Sequence, residues 1–266
     1  MKTRILNLVC IIFMLNRNAS SQIEVGGDLV DVNNAICGST YSTSVIVRNN
    51  SNTPEEVKIY QTDYSANFNG KKTYSEPGLT QRSNANWITY SPKRAIIPPK
   101  ENIPVNIQVQ VPDSMKLKGS YWSMLMIEHV PALSPETIRK KQSIGIVSLI
   151  RYSVLIVTNI EKTGSNGVRF IDSKMIYENN KSEFNLDVEN TGDILIKPSI
   201  IVKLYNEKNA ELGPFTQNEK LLLPGSSVRF IFDLSSVSSG DYKAIVVADC
   251  GNEDIFGIQY NLKIKK

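Results

Sequence analysis

Residues 143–160 form the most apolar run beyond the N-terminal segment, and β-branched side chains dominate it. Such side chains keep few χ1 rotamers and pack well on a pleated surface, so the run is expected to be a strand. Successive side chains of a strand point to opposite faces. One parity carries Ile144, Ile146, Ile150, Tyr152, Val154 and Ile156, and the other carries Val147, Leu149, Arg151, Leu155 and Val157. Both faces are therefore apolar, whereas an antiparallel strand with one wet face alternates apolar with polar. Either the strand is covered on both sides, or one face is left for another molecule. A membrane helix does not fit. The run is near the lower limit of about 17–25 residues for a span, and Arg151 in its middle would cost about 2.5–3.5 kcal/mol at a helix centre.

Around this run, the 266 residues are 41% hydrophobic and 21% charged, as in globular proteins, with a formal net charge of +4. Lys and Arg are scattered, and the one tight basic cluster, Arg139-Lys140-Lys141, reads as a solvated loop, so no nucleic-acid partner is expected. Residues 1–21 read as a secretory signal: a basic start at Lys2 and Arg4, an apolar stretch over 5–15, and small residues Ala19-Ser20-Ser21 before cleavage. The protein is expected to be exported, with no membrane span. Cys37 and Cys250 then remain, and they read as separate thiols packed as small apolar groups, with one bridge between the modules as the alternative in an oxidising compartment.

The rest of the chain reads as short strands separated by turn formers. Residues 103–112 alternate most cleanly, with Ile103, Val105, Ile107, Val109 and Val111 inward and Asn106, Gln108 and Gln110 outward. Strands are also expected over 23–32, broken by a glycine bulge at Gly26-Gly27, and over 42–48, 56–64, 87–90 and 121–128. Asn67-Phe68-Asn69-Gly70 reads as a hairpin tip. After a polar hinge at 161–164, further strands are expected over 168–176, 183–188, 194–205, 219–222, 227–234, 241–249 and 256–264. Long amphipathic helical runs are absent. The expected architecture is all-β: two tandem immunoglobulin-like antiparallel β-sandwiches, over residues 22–160 and 161–266.

Catalysis should leave a cluster of titratable or nucleophilic groups. His129 is the only histidine, lies beside Val130-Pro131, and reads as a loop residue. The dispersed Cys and His residues do not make zinc-ligand spacing, and Asp249-Cys250-Gly251-Asn252-Glu253-Asp254 lacks the pattern of an EF-hand loop. A hydrolase is disfavoured, and no cofactor or metal is expected. Function is then sought on the surfaces of the sandwiches, whose edge strands offer unpaired main-chain groups to another chain. The candidate partner-binding residues are Val147, Leu149, Leu155 and Val157, interrupted by Arg151, whose guanidinium can fork onto a carboxylate. Alternatively, Arg151 pairs with an acidic residue of the second module.

The order of Ser44-Val45-Ile46-Val47-Arg48-Asn49-Asn50, Trp87-Ile88-Thr89-Tyr90-Ser91-Pro92, Ser120-Tyr121-Trp122-Ser123-Met124 and then the long apolar strand resembles the amino-terminal domain of PapD-type periplasmic pilus-assembly chaperones. The resemblance implies that alternating apolar residues of this strand complete a pilus subunit lacking one strand. It also implies that Arg151 helps to bind the subunit's terminal carboxylate. It departs at residues 23–32, which hold no basic residue where those chaperones place a second one, so such a clamp is incomplete or built differently. The second module, through Asn190-Thr191-Gly192 and Leu223-Pro224-Gly225-Ser226-Ser227, is similar to bacterial surface proteins of the WxL-interacting type. The leading expectation, which the resemblance implies, is a non-enzymatic chaperone in the periplasm rather than on the cell surface, which holds a partner polypeptide by strand addition in the assembly of a surface or fimbrial structure. The alternative is a cell-surface adhesion or cell-wall-binding module.

Overall fold

The computed structural model describes residues 22–131, 149–179, 181–251 and 253–265. Residues 1–21, read as a secretory signal, the basic cluster at 139–141 and Val147 lie outside the described residues. Seventeen strands follow one another in that part of the chain: β1 Ile23–Gly26, β2 Val30–Ala35, β3 Thr40–Asn49, β4 Glu55–Ala66, β5 Lys72–Ser75, β6 Ile88–Ser91, β7 Arg94–Ile97, β8 Asn102–Gln110, β9 Gly119–Val130, β10 Arg151–Ile160, β11 Val168–Glu178, β12 Lys181–Asn190, β13 Ser199–Tyr205, β14 Glu211–Thr216, β15 Ser227–Asp233, β16 Gly240–Asp249 and β17 Ile255–Ile264.

The first ten strands make two sheets. One has the order β1-β3-β8-β6, and the other β2-β10-β9-β4-β5 with β7 also paired to β4. Val47, Val105, Ile107 and Val109 from the first sheet meet Val57, Ile59, Leu125, Ile127, Val154 and Ile156 from the second in one buried core. The alternation read over 103–112 is observed in β8, where Val105, Ile107 and Val109 are buried between exposed Asn106, Gln108 and Gln110. The last seven strands form sheets β11-β12-β15 and β14-β13-β16-β17. Phe184, Leu186, Phe230 and Phe232 pack there against Ile200, Val202, Leu204 and Val246. The architecture is two tandem immunoglobulin-like β-sandwiches. The same device ends β3 and β12. Asn49 donates its side-chain amide to Ile97 O at 2.9 Å, Asn190 donates to Leu222 O at 3.0 Å, and both are buried. Each thereby satisfies carbonyls at a turn with no water to do so.

Several expectations are corrected in detail. Residues 23–32 are not one bulged strand. Gly26-Gly27, with Gly27 at φ +89°, carries the chain from one sheet to the other, so β1 pairs β3 antiparallel while β2 pairs β10 in parallel. That parallel pairing interrupts an otherwise antiparallel sandwich. Residues 219–222 contribute only an isolated bridge, Leu222 to Ile196, while the edge strand β14 was unread because it contains Gly213-Pro214. Proline is tolerated at an edge, where its missing N–H faces solvent. His129 is not in a loop. It lies in β9 opposite Val57 and is buried, with its Nε2 2.7 Å from Glu55 Oε2.

The sandwiches meet tightly at Gly119, which has φ +69° and faces the main chain of Asp193 so closely that an added Cβ would lie 2.0 Å from its carbonyl oxygen. Gly70 has φ +82° and open space around it. Gly119→Ala is therefore expected to destabilise the protein well beyond the ~1–2 kcal/mol of left-handed strain that Gly70→Ala incurs. Urea unfolding of both variants checks this, and equal losses would contradict the close approach.

Candidate functional site

β10 pairs with β9 along its whole length, from Arg151 opposite Glu128 to Ile160 opposite Gly119. On its other side, β2 pairs only from Leu155 onward, opposite Val30. Leu155 N donates to Leu29 O at 2.9 Å, which fixes the phase: odd residues of β10 turn their main-chain groups toward the β2 side. Among the described residues, Arg151 and Ser153 therefore direct N–H and C=O off an edge that no strand covers. Beside this edge Leu149, Ile150, Leu29 and Val30 are exposed.

The predicted row Leu149, Arg151, Leu155 and Val157 is divided by the structure. Leu149 is 44% exposed, whereas Leu155 and Val157 are 4% and 0% exposed and are not open to a partner. They pack with Trp122, Met124, Met126 and Leu223, flanked by Tyr60, Tyr64, Leu195 and Leu221. Leu195, Leu221 and Leu223 belong to the second sandwich, so this face of the long strand is the joint between sandwiches. The opposite face, with Val154 and Ile156, is in the first sandwich's core. Two apolar faces thus have two internal reasons from Val154 onward, and the uncovered feature is the edge.

Arg151 is half exposed and pairs through Nε with Glu128 Oε2 at 2.6 Å. Glu128 also accepts from Tyr60 Oη at 2.8 Å. The acidic partner is thus on β9 of the same sandwich, not on the second module. An ion pair this open contributes about 0–1 kcal/mol, so the guanidinium can exchange partners at little expense. Arg151→Ala is expected to change the free energy of unfolding by less than about 1 kcal/mol in urea. A loss of several kcal/mol would mark it as a structural residue instead.

A cleft of about 530 Å³ opens where the edge meets the joint. Its floor includes Met124, Leu155 and Leu223, and its walls are the β4–β5 hairpin, with Phe68, and residues 221–229. Two sets of polar contacts span the joint between the sandwiches. On one side Phe68 N donates to Ser227 Oγ at 3.1 Å, and the Arg229 guanidinium lies 5.5 Å from the Phe68 ring centre. Arg229 is itself forked onto buried Asp187, with Nε and Nη2 each 2.7 Å from an oxygen. On the other side Asp193 receives Arg82 Nη2 at 2.5 Å and Lys118 Nζ at 3.0 Å. Arg82 is presented by a loop that buried Asp63 holds, accepting from Gly78 N and Thr80 N at 3.0 and 2.7 Å.

The hydrogen bond from Lys118, with the charges of Lys118 and Arg82, holds the Asp193 carboxyl below its ordinary value despite partial burial. Its folded pKa lies below the unfolded 3.8, so this contact stabilises fully above about pH 4 and is lost as pH falls through the lower folded value. The stability difference between the unmodified protein and Asp193→Asn is therefore expected to shrink from pH 6 to pH 2.5 in urea titrations. A difference that stays constant would exclude this contact as an acid-sensitive part of the joint.

Elsewhere, Glu55 is pushed up by burial, but hydrogen bonds from His129, Thr53 and Ser51 together hold its carboxyl below the usual range. Cys37 and Cys250 are free thiols, and burial beside Asp254 and Asp249 pushes the Cys250 thiol up to about 11. Among the described residues no group of three or more His, Cys, Asp or Glu is placed to hold a metal ion, and no helix is long and apolar enough to cross a membrane. Sequence reasoning missed Ser153, Leu29, Leu221 and Phe68 as surroundings of the edge and cleft. Only Phe68 carried a signal, an aromatic placed at a hairpin tip between two asparagines.

No family model and no curated protein matches the chain. Among solved structures, the chain is similar to fimbrial chaperones. One is a chain of a chaperone–tip adhesin complex of CFA/I fimbriae biogenesis, at 14% identity and a TM-score of 0.49, covering 91% of this chain and 98% of that one. Another is CfaA, a class 5 fimbriae chaperone, at 13% identity and a TM-score of 0.47, covering 92% and 100%. A third belongs to the CsuC–CsuE chaperone–tip adhesion subunit pre-assembly complex of Acinetobacter baumannii, at 18% identity and a TM-score of 0.45, covering 90% and 98%.

Proposed function

We propose that this chain is an exported, non-enzymatic chaperone of the pilus-assembly kind, acting in the periplasm, which holds a partner polypeptide by strand addition along the open edge of β10. The observation that carries this reading is the half-covered edge. β2 closes β10 from Leu155 to Ile160, while Arg151 and Ser153 leave their outward main-chain groups without a strand among the described residues. A free edge beside exposed Leu149 and Ile150 is the kind of template that an extended segment completes, main-chain bonds supplying affinity and alternate side chains specificity. Arg151, half exposed and paired with Glu128 on the neighbouring strand, is the group on this edge suited to an acidic side chain or chain terminus of the partner.

Ser153→Pro tests the reading. Proline at Ser153 removes an N–H that points off the sheet and breaks no bond to β9, so the unfolding midpoint is expected to stay within a few degrees. Recovery of the co-purifying partner from cell envelopes should fall at least tenfold. Undiminished recovery with the fold intact would sink strand addition at this edge.

A further inference from the structure

We propose that the cleft between the sandwiches takes one large apolar side chain of the bound polypeptide, supplied by the residue at which the added strand leaves the β10 edge. This rests on the strand-addition reading and deepens it. An added strand can pair beside Arg151 and Ser153 but no further, because at Leu155 the edge is taken by β2 through the bond from Leu155 N to Leu29 O. The chain must turn off the sheet there. Leu29, Val30 and Ser153, which bound that point, also line the cleft, so the departing residue stands at its mouth.

The chemistry inside selects the occupant. Leu29, Phe68, Met124, Leu155, Leu221 and Val228 give the cleft apolar walls and floor, in about 530 Å³. The cations nearby are already committed. Arg229 is forked onto Asp187, and Lys220 donates Nζ to Arg229 O at 2.5 Å, with burial lowering its proton affinity. The remaining cation of the lining, Lys72, is exposed to solvent at the rim. An anionic group entering the cleft would lose its hydration with no free desolvated partner, whereas a phenylalanine- or leucine-sized side chain loses none. The apolar joint beneath is packed from both sandwiches, with Met124 and Leu155 of the first against Leu223 of the second.

The test uses three twelve-residue peptides of alternating Val and Thr, acetylated and amidated, that carry Phe, Thr or Asp at both ends. The Phe-ended peptide is expected to bind the mature protein at least about tenfold more tightly than the Thr-ended one in calorimetry, with the Asp-ended peptide weakest. Ala66→Trp, on the hairpin wall and away from the β10 edge, fills the cleft and should abolish the preference for Phe while Thr-ended binding is unchanged. Leu221→Asp, on the opposite wall, should do the same if the first variant folds poorly. Equal binding of Phe- and Thr-ended peptides, tightest binding of the Asp-ended peptide, or a preference that survives both variants overturns the cleft assignment alone. Failure of all three peptides to bind the unmodified protein overturns strand addition, and the cleft assignment with it.

Discussion

Parallel pairing between β2 and β10 starts at Leu155 and covers six residues of a ten-residue strand. Because main-chain groups of a strand alternate between its two sides, that starting point decides which groups are satisfied and which face outward. The switch at Gly26-Gly27 sets it. Having spent Ile23–Gly26 on β3, the chain crosses to the other sheet and reaches β10 only partway along. A chain that paired two residues earlier, from Ser153, would begin to close the edge. The proposed function therefore depends on where a glycine crossover delivers a short strand, not on any reactive side chain.

The second sandwich matters to the same edge because it sits on the outer face of the sheet that carries it. Leu223 enters a cluster with Trp122, Met124, Leu155 and Val157, so the C-terminal half of β10 is locked by residues far away in sequence. Asp193 with Arg82 and Lys118 on one flank, and Phe68 over Arg229 on the other, add directional contacts to a joint whose apolar part is non-directional. Gly119 allows the two backbones to come close enough for Ser120 N to reach Asp193 O at 2.7 Å. A strand packed on three sides and, among the described residues, uncovered on the fourth at Arg151 and Ser153 is well suited to receive another chain with little further ordering.

Much of this was legible in the sequence, and the failures have physical reasons. β8 declared itself because one of its faces is wet, and period-two alternation is then unambiguous. β10 declared itself as a strand, yet its second apolar face read equally as a docking row or as a covered one. Leu155 beside a partner and Leu155 beneath Leu223 demand the same residue, so composition cannot separate an interface within the chain from one between chains. Val147 lies outside the described residues, and Leu149 remains exposed. His129 was misread because Pro131 suggested a loop, while the pairing with β4 that extends β9 to Val130 involves residues some seventy positions away. Arg151 found its carboxylate on the neighbouring strand, a cross-strand register that one chain's sequence does not reveal. The crossover at Gly26-Gly27 reads as a bulge in the sequence, because glycine marks a bulge and a sheet switch alike.

Amide hydrogen exchange followed residue by residue tests the open edge most directly. In the free mature protein the amides of Arg151 and Ser153 should exchange quickly while those of Leu155 and Val157, on the same side of β10 but covered by β2, exchange slowly. In the complex with the co-purified partner, Arg151 and Ser153 should become as slow as Leu155. Slow exchange at Arg151 and Ser153 in the free protein, or exchange there that the partner leaves unaltered, would contradict an edge kept open for another strand.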